Sequence, residues 1–194
     1  MTYFVTGGTG FIGRNLIERL LENREGQIHV LVREGSTERL QELIERWGQP
    51  ERIVPQVGDI TEPNLGISEE RIAELKGKVD HFFHLAAMYD MTADAETNLK
   101  LNVGGTRNAI ELANAIEAGL FHHTSSIAAA GMHKGLFRED MFDEGQKLDH
   151  PYHRTKFEAE KLARTLVAGP WRVYRPAIVV GDSRTGEMDK IDGP

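Results

Sequence analysis

Short apolar runs alternate with amphipathic stretches along the chain. The runs predict six strands, at residues 3–5, 28–32, 52–57, 79–85, 120–125 and 171–180. Between them, apolar residues recur every three or four positions, which predicts helices from residue 11 and at residues 37–47, 69–75, 98–118 and 151–167. Pro55 in the third run indicates an edge strand. Two glycines at 104 and 105 interrupt or open the long fourth helix.

Strands that alternate with helices predict an α/β fold with a parallel sheet and right-handed crossovers. The strands are apolar at nearly every residue, as expected when helices cover both faces of the sheet. We therefore predict a single Rossmann-type, doubly wound domain over residues 1–194, with the strand order 3-2-1-4-5-6. In such a sheet a ligand lies across the carboxyl ends of the first and fourth strands.

A glycine-rich stretch, residues 7–13, joins the first strand to the first helix. Its glycines fit two spacings, Gly8-x-Gly10-x-x-Gly13 and Gly7-x-x-Gly10-x-x-Gly13. Glycine lets the backbone turn tightly and lets a pyrophosphate approach the N–H groups of the helix N-terminus. The position between a strand and a helix favours a dinucleotide site over an ordinary glycine-rich turn.

A second group of residues carries candidate acid–base chemistry. Tyr152 and Lys156 are four residues apart, so a helix places them on one face. An ammonium beside a phenol favours the phenolate, and such a pair can give a proton to a developing alkoxide. A pair of this kind taken alone is more often a surface pair. However, this one follows Thr124, Ser125 and Ser126, which end the fifth strand. A hydroxyl there can bind a carbonyl oxygen or cap a turn.

Composition narrows the class of protein. The 194 residues are 40% hydrophobic with a mean hydropathy of −0.40, and no apolar run approaches the roughly 18 residues of a membrane span. The net charge of −7 and the scattered Lys and Arg argue against nucleic-acid binding. Without cysteine or a signal-peptide pattern, we expect a cytoplasmic protein with no disulfide. Adjacent strand histidines face opposite sides, so we predict no metal site.

The motifs together resemble the short-chain dehydrogenase/reductase superfamily, in its extended or atypical branch. They lie in family order at residues 6–13, 58–60, 84–87, 102–106, 125–126, 152–156 and 175–176. The resemblance implies that Ser126, Tyr152 and Lys156 are catalytic. Ser126 is preferred to Ser125 because it lies five residues before Gly131, as the family serine or threonine does. The resemblance also implies cofactor contacts from Thr6, Gly7, Gly8, Thr9, Gly10, Phe11, Ile12, Gly13, Asp59, Ile60, Leu85, Ala86, Ala87, Asn102, Thr124, Tyr152, Lys156, Pro176, Ile178 and Val179.

Three longer segments narrow the resemblance. Residues 78–87, 121–131 and 171–176 look like the reductase domain of bacterial fatty acyl-CoA reductases and the related thioester reductase domains of carboxylic acid reductases and peptide synthetases. This implies NADPH-dependent reduction of a small-molecule acyl thioester, such as a fatty acyl-CoA, to an aldehyde or alcohol. That family continues beyond its sixth strand. We therefore expect the chain to be the N-terminal part of a longer protein, without the last strand and the substrate cap.

Two other function classes stay open. One is another extended enzyme, such as a nucleotide-sugar epimerase or dehydratase, or a hydroxysteroid or flavonol-type reductase. The other is a non-catalytic dinucleotide sensor, although such relatives usually lack the tyrosine–lysine pair. The sequence does not choose between a monomer and a homodimer.

The residue after the second strand decides between NADP and NAD. NAD enzymes place Asp or Glu about 20 residues after the glycines, and here Arg33 occupies that position. A guanidinium suits the 2′-phosphate of NADP, and Arg39 can add a second cation. Glu34 would take the NAD role if the strand ended one residue later. We predict NADP.

The loop before the last helix is the least determined part of the candidate site. Its charged residues, 138–140 and 143–144, predict a solvated lid. Phe137, Met141 and Phe142 either contact an acyl chain or hold the loop down. His150 and His153 either touch substrate or cap the helix, and capping is the simpler interpretation.

Overall fold

The computed structural model describes residues 1–87, 95–181 and 186. Parallel strands of these residues form one six-stranded sheet in the order β3-β2-β1-β4-β5-β6, so the predicted fold class and strand order are confirmed. The strands are β1 (Thr2–Thr6), β2 (Gln27–Val32), β3 (Ile53–Val57), β4 (His81–His84), β5 (Leu120–Thr124) and β6 (Trp171–Tyr174). β3 lies at an edge, which tolerates the missing N–H of Pro55.

Helices cover both faces of the sheet. They are α1 (Phe11–Asn23), α2 (Thr37–Trp47), α3 (Glu69–Leu75), α4 (Ala95–Asn98), α5 (Gly105–Ala115) and α6 (Pro151–Leu166). α1 and α2 pack on one face, and α3, α5 and α6 contribute to the core on the other. Within the described ranges, no helix is both long enough and apolar enough to cross a membrane.

Alternation along the strands divides the core into two layers. In β1, Tyr3 belongs to the layer under α1 and α2, whereas Phe4 belongs to the layer under α5. Phe4, Phe82 and Phe121 stack across three strands, with ring centroids 4.8 and 5.5 Å apart. All three rings are essentially inaccessible to solvent. This central stack fixes the register of β1, β4 and β5, and their carboxyl ends carry the candidate site.

Two strands are shorter than the sequence predicted. β4 begins at His81 rather than residue 79, and β6 ends at Tyr174 rather than residue 180. Pro176 has no N–H for the ladder, and the Arg175 side chain turns inward to Glu160, with Nη2 2.6 Å from Oε1. The apolar residues beyond are exposed, Ile178 by 59%. They leave the sheet and line a cleft instead.

The predicted helix 98–118, interrupted or entered at its two glycines, forms as three consecutive helical segments that end at Ala115. α4 runs into a π-helical segment, Leu99–Gly104, and α5 follows from Gly105 to Ala115. Both glycines have helical dihedrals, so they do not break the chain direction. A Cβ on Gly105 would lie 3.0 Å from Cδ1 of Ile60. Glycine therefore lets this helix approach the loop that follows β3.

Candidate active site

The glycine loop is shaped by close backbone contacts. Gly7 has a φ of +73°, and a Cβ there would lie 2.7 Å from the backbone nitrogen of Ala86. A Cβ on Gly13 would overlap the carbonyl oxygen of Gly7 and lie 2.8 Å from the Cα of Gly8. These obstacles are backbone atoms that cannot move aside. The turn from β1 into α1 therefore requires glycine at both positions.

The N-terminus of α1 fits the pyrophosphate of a dinucleotide. Gly10 is the N-cap and has no side chain to accept a hydrogen bond from the first-turn N–H groups. The first turn contains no acidic residue that would repel an anion. A Cβ on Gly10 would meet Gly7 O at 3.2 Å and nothing else within 4 Å, so Gly10 borders open space. A helix of 13 residues that opens in this way is a suitable anion site.

One cavity of about 670 Å³ is lined by both the glycine loop and the predicted catalytic residues. Its lining includes the predicted site residues Gly7, Gly10, Phe11, Ile12, Gly13, Leu85, Ala87, Thr124, Ser126, Tyr152, Lys156, Pro176, Ile178 and Val179. We call this cavity the cleft. It lies at the carboxyl ends of β1, β4 and β5, where a doubly wound sheet places its ligand.

Lys156 is held inside the protein at the back of the cleft. The residue is 3% exposed, and its Nζ donates a hydrogen bond to the Thr124 carbonyl at 2.9 Å. Burial lowers the pKa of Lys156 to about 8, and the Glu160 carboxylate opposes that fall. Tyr152, one helical turn earlier, is 9% exposed and lines the same cleft. The helix thus presents both side chains to one cavity.

Both serines after β5 line the cleft, but their side chains have different hydrogen-bond partners. Ser126 lines the cleft, and its Oγ accepts a hydrogen bond from Ala128 N at 3.1 Å. It therefore caps a short 3-10 turn as well as bordering the cavity. Ser125 is 2% exposed, and its hydroxyl donates to Oε2 of Glu160 at 2.7 Å. Of the two side chains, only that of Ser125 is committed to a buried carboxylate.

Asp59, Arg33 and Lys100 converge near the ends of β2 and β3. Burial pushes the pKa of Asp59 up, but two hydrogen bonds from Thr61 and the nearby Arg33 and Lys100 cations outweigh it, so the pKa lies below its usual value. Arg33 directly follows β2 and is exposed. Asn108 Nδ2 donates to the carbonyl of Ile60 at 2.8 Å and fixes the loop. Sequence reasoning missed Lys100, which lies two residues before a family motif.

Thr6, Ala86 and Asn102 belong to a buried hydrogen-bond chain rather than to the cleft lining. The Thr106 hydroxyl donates to Asn102 O at 2.7 Å, so it accepts from Nε2–H of His84 at 3.1 Å. Nδ1 of His84 then accepts from the Thr6 hydroxyl at 2.9 Å, and Thr6 Oγ1 accepts from Ala86 N at 3.2 Å. Burial, followed by the Lys156 cation, lowers the pKa of His84 to about 3. This neutral histidine ties the glycine-loop strand to the π-helical segment.

The histidines near Tyr152 differ in position. His150 caps α6, with Nδ1 accepting from Tyr152 N at 3.1 Å. His153 lines the cleft, and burial and then His150 lower its pKa. In the loop before α6, Phe142 stacks on Phe157 at 4.6 Å and holds the loop down.

A second, more apolar cavity adjoins the cleft, and its volume is about 1070 Å³. Phe137 lines it, together with Leu16, Phe83 and Val173. Ile12 and Pro176 border both cavities. An apolar volume of this size therefore opens beside the predicted catalytic residues.

Comparison with known proteins identifies the family. Residues 5–194 match the family model NAD_binding_4, described as male sterility protein. The chain belongs to this family. It is 33% identical over 97% of its length to a linear gramicidin synthase of Brevibacillus parabrevis, and 30% identical over 92% to putative fatty acyl-CoA reductase CG8303 of Drosophila melanogaster. The resemblance to thioester reductases and fatty acyl-CoA reductases is thus confirmed.

A solved structure of a relative shows the same fold. The terminal R domain of the myxalamid PKS-NRPS biosynthetic pathway superposes with a TM-score of 0.86 and is 31% identical over 97% of this chain. The chain spans 52% of that domain, 41% of the Drosophila protein and 4% of the gramicidin synthase. In all three relatives the matched region is therefore part of a longer chain.

Proposed function

We propose that this chain uses NADPH to reduce an acyl thioester to an aldehyde or alcohol. The observation that carries the proposal is a single cleft lined by the glycine loop and by Ser126, Tyr152 and Lys156. The adjoining apolar cavity is suited to an acyl group, because its lining includes Leu16, Phe83 and Val173. The reductases among the relatives support an oxidoreductase function, and the residues that line the cleft suggest the individual steps.

Each residue has one role in the proposed reaction. The bound nicotinamide would supply a hydride to the carbonyl carbon. Tyr152 gives its phenolic proton to the carbonyl oxygen, and the Lys156 ammonium stabilises the phenolate that remains. Ser126 donates a hydrogen bond that orients the carbonyl oxygen.

The thioester carbon then loses its sulfur. Tyr152 phenolate takes the proton back from the hydroxyl of the hemithioacetal, the C=O bond re-forms and the C–S bond breaks. The thiolate leaves and takes a proton from water, which gives an aldehyde and a thiol. A second round of hydride and proton delivery to the aldehyde would give the alcohol. No cysteine is needed, and the chain contains none.

A substrate panel tests the proposal. We expect NADPH oxidation, followed at 340 nm, with acyl-CoA or fatty aldehyde and none with nucleotide sugars. Tyr152→Phe should lower the rate by about 10²- to 10⁴-fold with little change in NADPH affinity, since it removes the general acid but not the cleft. His150→Asn, which keeps a capping side chain outside the cleft lining, is the matched control.

Other outcomes would point elsewhere. Turnover of a nucleotide sugar without net NADPH oxidation would favour an epimerase or dehydratase. Unchanged activity in Tyr152→Phe would remove tyrosine from the mechanism, and NADPH binding without turnover of any carbonyl would favour a dinucleotide sensor.

A further inference from the structure

A buried carboxylate lies one helical turn beyond Lys156 on α6. Glu160 is fully inaccessible to solvent. Its Oε2 accepts from Ser125 Oγ at 2.7 Å and from Arg175 Nε at 3.0 Å. Its Oε1 accepts from Arg175 Nη2 at 2.6 Å and from Arg164 Nε at 2.9 Å. Burial raises the pKa of Glu160, but these hydrogen bonds hold it below its usual value, so the group is a buried anion.

The first partner of this anion controls one wall of the cleft. Ser125 itself lines the cleft, between Thr124, whose carbonyl accepts from Lys156, and Ser126. Its backbone N–H donates to Tyr174 O at 2.8 Å, and its hydroxyl donates to Glu160. The backbone and the side chain of Ser125 are therefore both fixed. They also fix the adjacent Thr124 carbonyl, which accepts from Lys156.

The second partner, Arg175, holds the neighbouring segment of the cleft lining. Arg175 immediately precedes Pro176, where the chain leaves β6 to line the cleft. Its Nη2 also donates to Met141 O at 2.8 Å, on the loop between the predicted catalytic serine and tyrosine. The Pro176 carbonyl accepts from Ile127 N at 3.2 Å, which closes the ring of contacts.

We propose that Glu160 is a positioning residue for the reaction: its carboxylate holds the strand end beside Ser126 and the segment that begins at Pro176, and it keeps an anion within one turn of Lys156. The inference rests on the proposed function, since it acts through Lys156 and the cofactor cleft. A buried ion pair is costly to break, because its partners are left uncompensated in a medium of low polarity. Loss of the carboxylate would leave the charges of Arg164 and Arg175 uncompensated, because these side chains are only 23% and 13% exposed.

Charged and titratable groups surround Lys156 from several elements. Glu160 faces it from α6, and His84 and His123 lie near it from β4 and β5. Both histidines have strongly lowered pKa values through burial, so they remain neutral. Glu160 is thus the group that favours the charged form of Lys156. Without it the pKa of Lys156 falls further, and the ammonium is lost at a lower pH.

NADPH titration from pH 6 to 9, followed by nicotinamide fluorescence, tests the inference without requiring turnover. We expect Glu160→Gln to bind NADPH more weakly than wild type. In this variant NADPH binding should be lost at alkaline pH with a midpoint about one pH unit below that of the wild type. Glu160→Asp, which keeps the charge, should retain the wild-type midpoint. Ser125→Ala should lower the affinity for NADPH a few-fold without shifting the midpoint.

Glu158→Gln is the matched control, since it removes the same charge from the same helix two residues away. If Glu160→Gln matches Glu158→Gln in affinity and midpoint while wild type binds NADPH, the inference is overturned and the proposed function survives. If wild type binds no NADPH, the proposed function itself fails. Should circular dichroism show Glu160→Gln unfolded, Ser125→Ala is compared with Ser125→Thr, which keeps the hydroxyl that donates to Glu160: weaker NADPH binding by Ser125→Ala alone supports the inference, and equal affinities overturn it.

Discussion

The residue that follows β2 bears on the choice between NADP and NAD. Arg33 follows β2 directly, so the strand does not run on by the one residue that would bring Glu34 into the NAD position. The Arg33 and Lys100 cations both lower the pKa of Asp59, so two positive charges lie near the residue predicted to hold the adenine. A 2′-phosphate would be bound by such a pair, whereas a 2′-hydroxyl needs an acceptor.

The choice of cofactor can be tested at this position. Arg33→Ala should weaken NADPH binding by about 10- to 100-fold and leave NADH binding almost unchanged, because the guanidinium is expected to contact the 2′-phosphate, which NADH lacks. Isothermal titration with both dinucleotides measures the two affinities. Arg46→Ala, a cation near the far end of α2, is the control. Equal affinity of the wild type for NADPH and NADH would contradict the assignment.

At the scale of elements, the site depends on how a strand ends and a helix begins. β1 and α1 are joined by backbone atoms in such close contact that Gly13 has no room for a side chain. The long helix 95–115 departs from regular α geometry over Leu99–Gly104, and Asn102 in that segment donates to Thr155 on α6 at 3.4 Å. The first contact shapes the glycine loop, and the second joins the π-helical segment to α6, which carries the predicted catalytic residues.

A methyl group tests the tightness of the glycine turn. Gly13→Ala should destabilise the fold by about 1–3 kcal/mol, because the obstructing atoms are backbone. It should also abolish NADPH binding. Gly104→Ala is the matched control: its φ is −59° and space is available, so we expect a stability change within about 1 kcal/mol. Denaturant melts and NADPH titration report the two effects, and an unimpaired Gly13→Ala would show that the turn is looser than the contacts indicate.

At the scale of the whole molecule, cross-strand pairing brings together histidines that are far apart in sequence. Nδ1 of His81 and Nε2 of His122 are 3.1 Å apart on one face, and the rings of His84 and His123 are 5.8 Å apart on the other. Burial, followed by Arg71, lowers the pKa of His29 to about 4. Burial, followed by neighbouring His81 and Arg172, does the same for His122.

These buried histidines make the fold sensitive to acid. The unfolded chain binds protons near pH 6.5 and the folded chain does not until about pH 4, so stability is full above pH 6.5 and falls as the pH drops through this window. Each histidine contributes about 1.4 kcal/mol per pH unit. Urea melts between pH 7.5 and 5 should show this dependence of the unfolding free energy on pH. His122→Phe keeps a ring between Phe83 and Tyr174 and should reduce the slope by the contribution of one histidine. An unchanged slope in that variant would exclude His122 as a source.

Much of the fold was predictable because it is local. The strand and helix periods reflect which face of each element is buried, and the glycine turn reflects steric limits of a few neighbouring residues. The length of β6 was not predictable from its apolar run, because the Arg175 side chain binds Glu160 on α6 and the chain beyond it lines the cleft. The π-helical segment likewise contacts an element that is distant in sequence, since Asn102 donates to Thr155 on α6.

The Rossmann-type strand order, the family and the residue types that suit hydride and proton transfer all follow from the amino-acid sequence. Three-dimensional packing was needed to show that Ser126, Tyr152 and Lys156 border the same cleft as the glycine loop. It was also needed to show that the Ser125 hydroxyl donates to Glu160, and that Arg175 binds the same carboxylate. The physical reason is that a buried charge must find its partners wherever the fold brings them, and those partners lie 15 and 35 residues from Glu160 along the chain.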